Sequence, residues 1–198
     1  MSLKLLTAPG LVQHPPLWLA MLIFQGGWWL IILGSHSQWF WLGALLMILL
    51  LSTDYRAGYL TATRFVSQIS LITLGILFDS LLTQLAIIRF DLSEVSLLAE
   101  TPNSSGQHLL SLPIPDWLVI LWCWFAITFE RCFTWLESKL ALALMLGAIT
   151  GPLTYWGASY LTPITISHPL VFFLVSSLFW GLIFGISSVS QWLFKNPE

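Results

Sequence analysis

Asp79 is a carboxylic acid near the middle of a 26-residue apolar stretch, Phe65 to Phe90, with Arg64 just outside one end and Arg89 just inside the other. At about 1.5 Å of rise per residue, a helix of this length exceeds the ~30 Å hydrocarbon core of a bilayer, so the acid falls close to the midplane. A charge at that depth costs about 2.5–3.5 kcal/mol on insertion scales, and such a residue faces other helices and has a partner or a task. Thr73, Ser80, Thr83 and Gln84 cluster around it, and a helical wheel places Thr73, Ser80 and Thr83 or Gln84 on roughly one side, predicted to face protein. Gln25 and Thr150 lie near the middle of two other apolar runs, with Tyr155 about one turn beyond Thr150 and Trp28 about one turn beyond Gln25.

An amide, an acid, a hydroxyl and a phenol at similar depths can form a buried polar layer. In one reading these groups satisfy each other and bind helices together, each hydrogen bond contributing about 1 kcal/mol. In the other, Asp79, Gln25, Thr150, Tyr155 and Trp28 surround a midplane site for a small amphipathic or lipid-like ligand, with Asp79 pairing with a cationic or hydroxylated group or carrying a proton. An intramembrane lipid-modifying enzyme, with Asp79 as general acid or base and Tyr155 as helper, is a further alternative. An accessory subunit of a membrane complex is another. Only one ionisable residue lies deep in an apolar run, which argues against catalysis, and no catalytic residue is assigned.

Composition dictates the elements that must position these groups. Hydrophobic residues make up 57% of the 198-residue chain and charged residues 8%, against roughly 25% charged in a soluble domain, so the surface cannot be covered with water-compatible groups. Six apolar runs stand out, at about 17–34, 38–53, 65–90, 116–133, 140–162 and 169–194. None alternates like a barrel strand, and open sheet edges do not occur against lipid, so helices are the expected spanning element. The predicted fold is all-α: one integral membrane domain over 1–198, a polytopic transmembrane bundle of about six helices.

With the N-terminus in the cytoplasm, the cytoplasmic segments hold Lys4, Arg56, Arg64, Arg131, Lys139 and Lys195, and the opposite side holds Arg89 alone, a strong positive-inside signal. Both termini are then cytoplasmic, and the long loop 91–115 lies outside. Asp116, after Pro113-Ile-Pro115, is expected to cap the fourth helix, and Glu130-Arg131 at its other end reads as a solvated connection. Gly147-x-x-x-Gly151 followed by Pro152, and Gly181-x-x-x-Gly185, have the small-residue spacing that lets helices approach closely, with a kink expected at Pro152.

The remaining residues exclude several classes. A net charge of −2 and dispersed basic residues leave no nucleic-acid footprint. Cys123 and Cys132, nine residues apart on one helix, are beyond disulfide reach and read as reduced thiols. No His pair or CxxC suggests a metal, and no nucleotide or hydrolase motif suggests a cofactor; none is expected. The expected partners are the lipid bilayer, a lipid-like or small-molecule ligand, or another membrane protein.

Phe24-Gln25-x-x-Trp28, Leu77-Phe78-Asp79-Ser80, Pro115-x-Trp117, Leu121-Trp122-x-x-Phe125-x-x-Thr128, Trp135-Leu136 and Gly147-x-x-x-Gly151-Pro152-Leu153-x-Tyr155-x-Gly157 together resemble a family of small bacterial inner-membrane proteins of unknown function. The resemblance runs from about 24 to 160; Phe129-Glu-Arg-Cys132 and Leu161-Thr-Pro163 depart from it. It implies a multi-pass protein of the bacterial inner (cytoplasmic) membrane, and no reaction.

Overall fold

A computed structural model describes residues 16–35, 38–58, 60–90 and 113–195. Most of the loop predicted at 91–115, together with Lys4, lies outside the described residues. Six helices form a bundle: α1 (Leu17–Leu33), α2 (Trp41–Arg56), α3 (Ala62–Gln84), α4 (Asp116–Phe133), α5 (Leu140–Ala158) and α6 (Pro169–Lys195). Four spans, Ala62–Gln84, Asp116–Leu136, Leu140–Ala158 and Pro169–Val189, are long and apolar enough to cross a membrane; α1 is apolar but only 17 residues long. One-turn 3₁₀ segments, Gln38–Phe40 and Thr134–Leu136, lead into α2 and out of α4.

The helix boundaries follow local chemistry. Pro16, Pro115 and Pro169 stand at the starts of α1, α4 and α6, where a missing N–H is harmless because the first turn's donors have no helical partner. Thr61 caps α3 by accepting the Arg64 backbone N–H at 3.3 Å. Asp116 does not cap α4 as expected: it is the first helical residue, with no side-chain cap, and acts there only as a negative charge near the helix's positive end. Pro152 lies inside α5, which continues through it to Ala158.

Two apolar runs are shorter as helices than their composition predicts. The run 65–90 leaves the helix at Gln84; Ala86 adopts a positive φ of 54°, and Ile88–Phe90 forms a strand, β1. The run 140–162 ends its helix at Ala158, and Ile164–Ile166 forms β2. The two strands pair antiparallel with Ile88 opposite Ile166 and Phe90 opposite Ile164. This two-stranded ribbon departs from a purely helical prediction. It ties the end of α3 to the α5–α6 connection, and each strand satisfies backbone groups that neither helix can reach.

Helix α4 is the most buried span, at the centre of the bundle. Against α1 it runs antiparallel: the Cys132 thiol donates to the Ala20 carbonyl at 3.4 Å, and the Trp124 indole donates to the Phe24 carbonyl at 3.0 Å. A Cβ on Gly27 would run into that indole, so glycine is what lets the ring lie on α1. Helices α5 and α6 approach closely, with Gly147 against the Trp180 backbone, Gly151 against its ring, and Gly181 and Gly185 against Leu144. Aromatic layers join α6 to the rest: Phe179 stacks on Phe78 at 3.8 Å, and Trp180 stacks on Trp122 at 5.2 Å.

Large apolar side chains, including Leu22, Ile48, Leu77, Leu81, Leu174, Leu178 and Ile186, are exposed along the helices. Water would penalise such a surface; hydrocarbon would not. At one end, Arg131 pairs with Asp54, and Arg64 pairs with Glu130 at 3.0 Å. The solvated connection expected here fails at Arg131, whose partner Asp54 is 6% exposed, whereas Glu130 keeps a partly exposed pair with Arg64; together they join the end of α4 to α2 and α3. Cys123 and Cys132 are free thiols.

Candidate functional site

Asp79 is fully buried, with 0% exposure, on the face of α3 that packs against α4. Gly75 sits one helical turn earlier on that face. Its missing side chain lets the Trp122 ring lie flat on α3, and the indole N–H then reaches Asp79 Oδ2 at 2.6 Å. From α5, the Tyr155 hydroxyl lies 2.8 Å from Oδ1 and 2.9 Å from Oδ2 and donates to the carboxyl group. The acid is thus held by two neutral donors, and neither partner is basic. The Thr83 hydroxyl donates to the Asp79 backbone carbonyl at 2.8 Å, while Ser80 is buried with no hydroxyl partner. Three helices meet at this one side chain.

Beside the node lies a cavity of about 260 Å³ bounded by α1, α4, α5, α6 and Ile164 of β2. For scale, a dry cavity of about 150 Å³ holds a benzene, and drug-sized sites begin near 300 Å³. Its walls are largely aromatic, among them Trp28, Trp117, Trp122, Phe125 and Trp180, and no charged residue lines it. Hydroxyl groups come from one side only: Thr150, Thr154 and Tyr155, all on α5. Thr150 and Thr154 are exposed as well as lining, so the cavity reaches the surface of the bundle beside α5. Trp122 and Tyr155 therefore have two faces, one toward the cavity and one hydrogen-bonded to Asp79.

The sequence candidates divide accordingly. Asp79 and Tyr155 are brought together directly; Tyr155, Thr150 and Trp28 share the cavity. Gln25 is on the exposed side of α1, contacts neither Asp79 nor the cavity, and does not join a polar layer. Its neighbours Phe24 and Trp28 take the inward positions instead. Thr73 and Gln84 are also exposed, against the expectation that their side of α3 faces protein; Thr73 closes its hydroxyl onto the Ile69 carbonyl at 2.8 Å. Thr150 does the same onto the Leu146 carbonyl at 2.7 Å, so it borders the cavity without touching Asp79.

Trp122 is the residue that sequence reasoning missed. Nothing in its spacing sets it apart from the other tryptophans, yet it lies near the middle of α4 rather than at an end. A buried indole N–H gains from an acceptor, and a carboxyl group at the same depth on a neighbouring helix supplies one. Among the described residues, no group of three or more His, Cys, Asp or Glu is placed to hold a metal ion.

These features define a class: an all-α bundle with membrane-length apolar helices, an interior carboxyl held by uncharged donors, and an aromatic cavity alongside. Within that class, the chain belongs to the family described as "Protein of unknown function (DUF2878)", whose model matches residues 17–186. No curated protein and no solved structure matches the chain.

Proposed function

We propose that this protein is a multi-pass component of the bacterial cytoplasmic membrane, with six crossings and both termini in the cytoplasm, that binds or passes a small amphipathic or lipid-like molecule. The observation that carries the binding reading is the uncharged, aromatic cavity of about 260 Å³ that is open beside α5 and floored by Tyr155 and Trp122. A charged or strongly hydrated ligand would lose its solvation there without compensation, whereas an apolar body exchanges lipid contacts for aromatic ones at little cost.

The orientation is supported by the basic residues. The ion pairs place the end of α2, the start of α3 and the end of α4 at one level, and Arg56, Arg64, Arg131 and Lys139 all belong to that level. Arg89, in β1, belongs to the other. The roles separate cleanly: Asp79 is a structural anchor that fixes Trp122 and Tyr155, and those two present the surface a ligand meets.

The test is identification, by mass spectrometry, of what co-purifies with the protein in mild detergent, compared with a Leu146→Trp variant. Leu146 borders the cavity and is half-buried, so tryptophan there fills the space from α5. A reproducible small molecule lost from the variant, with unfolding unchanged, is the expected result. Identical co-purifying species in both proteins, or none in either, would overturn the binding reading.

A further inference from the structure

Resting on the binding reading above, we infer that the ligand is a neutral alcohol: an apolar chain or ring system whose hydroxyl donates a hydrogen bond to Thr150, Thr154 or Tyr155. The inference comes from counting protons at the cavity wall. Thr150 spends its hydroxyl proton on the Leu146 carbonyl at 2.7 Å, and Thr154 spends its proton on the Thr150 carbonyl at 2.8 Å. Tyr155 gives its single proton to Asp79, and Trp122 gives its N–H to the same carboxyl group. Each hydroxyl oxygen keeps lone pairs after its proton is spent, whereas an indole N–H offers nothing further.

The indole N–H groups of Trp117 and Trp180 find no partner but are closed off from any accessible surface, so they offer a ligand nothing without rearrangement of the wall. The α5 edge of the cavity therefore accepts and does not donate. A carboxylate or phosphate headgroup, which needs cations or several donors, finds no cation among the lining residues and no free hydroxyl proton at the α5 edge. A pure hydrocarbon fits the aromatic walls but leaves the three oxygens unused. An alcohol satisfies both the walls and the α5 edge, and its apolar remainder can leave through the opening beside Thr150 and Thr154.

The test uses three bromine-tagged probes of equal chain length, ω-bromodecanol, bromodecane and ω-bromodecanoate, the last at a pH where it is ionised. Each is titrated by mole fraction into nanodiscs containing the full chain. Bromine quenches tryptophan on contact, and Trp28, Trp117, Trp122 and Trp180 border the cavity. Saturable quenching by bromodecanol at about fivefold lower mole fraction than either other probe is expected. The paired substitution Thr150→Val with Thr154→Val should weaken bromodecanol to the level of bromodecane while leaving bromodecane unchanged. Bromodecane or bromodecanoate saturating as readily as the alcohol, in a manner that Leu146→Trp abolishes, would overturn the alcohol assignment and leave the cavity as a binding site. Quenching that does not saturate for any probe, or that Leu146→Trp leaves untouched, would overturn the binding reading and the assignment with it.

Discussion

Two buried carboxyl groups in this bundle are held in opposite ways. Asp54, at the end of α2, is 6% exposed and faces the Arg131 guanidinium, with the Arg64–Glu130 pair close by in sequence and structure. Asp79, in the middle of α3, is 0% exposed and is held only by an indole and a phenol. Near a membrane surface a guanidinium retains access to water and headgroups, and an ion pair is tolerated. At mid-depth a guanidinium would add a second costly charge, and neutral dipoles satisfy the carboxyl group without one. The same residue type is thus an electrostatic tie at the end of the bundle and a hydrogen-bond hub at its centre.

The difference predicts unequal sensitivity. Arg131→Met should be the most damaging change, about 3–5 kcal/mol in reversible unfolding, because it strands the buried Asp54 charge; the double variant with Asp54→Leu should recover most of that loss. Asp79→Leu should cost less, about 2–3 kcal/mol, since it leaves two neutral donors unpaired instead of a charge. Asp79→Asn, which keeps an acceptor for both donors, should cost under about 1 kcal/mol by the same unfolding measurement.

Gly75→Ala should cost about 1–2 kcal/mol by forcing the Trp122 ring off α3, and a change in tryptophan emission would report the displaced indole. Glu130→Gln should have the smallest effect, about 0–1 kcal/mol and reduced by salt. Its pair with Arg64 is roughly one-third exposed on each side, and solvent screens it. Equal losses for Arg131→Met and Asp79→Leu would erase the contrast between the two sites.

Depth along a helix was readable from sequence, but direction around the helix was not. Asp79 and Tyr155, which meet, and Thr150, which borders the cavity beside them, are conspicuous in the sequence as polar residues near the middle of apolar runs. Gln25 lies outside the cavity because successive helical residues point about 100° apart; α1 is apolar on all sides, so its composition does not say that Phe24 and Trp28, not Gln25, face inward. Trp122 was hidden by the other tryptophans, although the small Gly75 one turn before Asp79 marks where a large ring lies on α3. The strands were hidden for a different reason. Ile87 to Phe90 extends an apolar run without a glycine or proline to stop it, and the break occurs at Ala86, a residue that seldom adopts positive φ. The close α5–α6 contact, in contrast, lies at the glycine pairs of Gly147–Gly151 and Gly181–Gly185, where short-range spacing and long-range packing coincide.

The dependence of the bundle on one uncharged hydrogen-bond hub is measured most directly by a double-mutant cycle joining Asp79→Leu and Tyr155→Phe, read as unfolding free energy in detergent. A coupling of about 1–2 kcal/mol is expected, since Asp79→Leu strands both donors, Tyr155→Phe leaves the acid with the Trp122 donor alone, and the pair of changes strands only the Trp122 N–H. Losses that add to within about 0.3–0.5 kcal/mol would mean that the phenol and the acid do not act on each other, and that Asp79 is not the hub of the three helices.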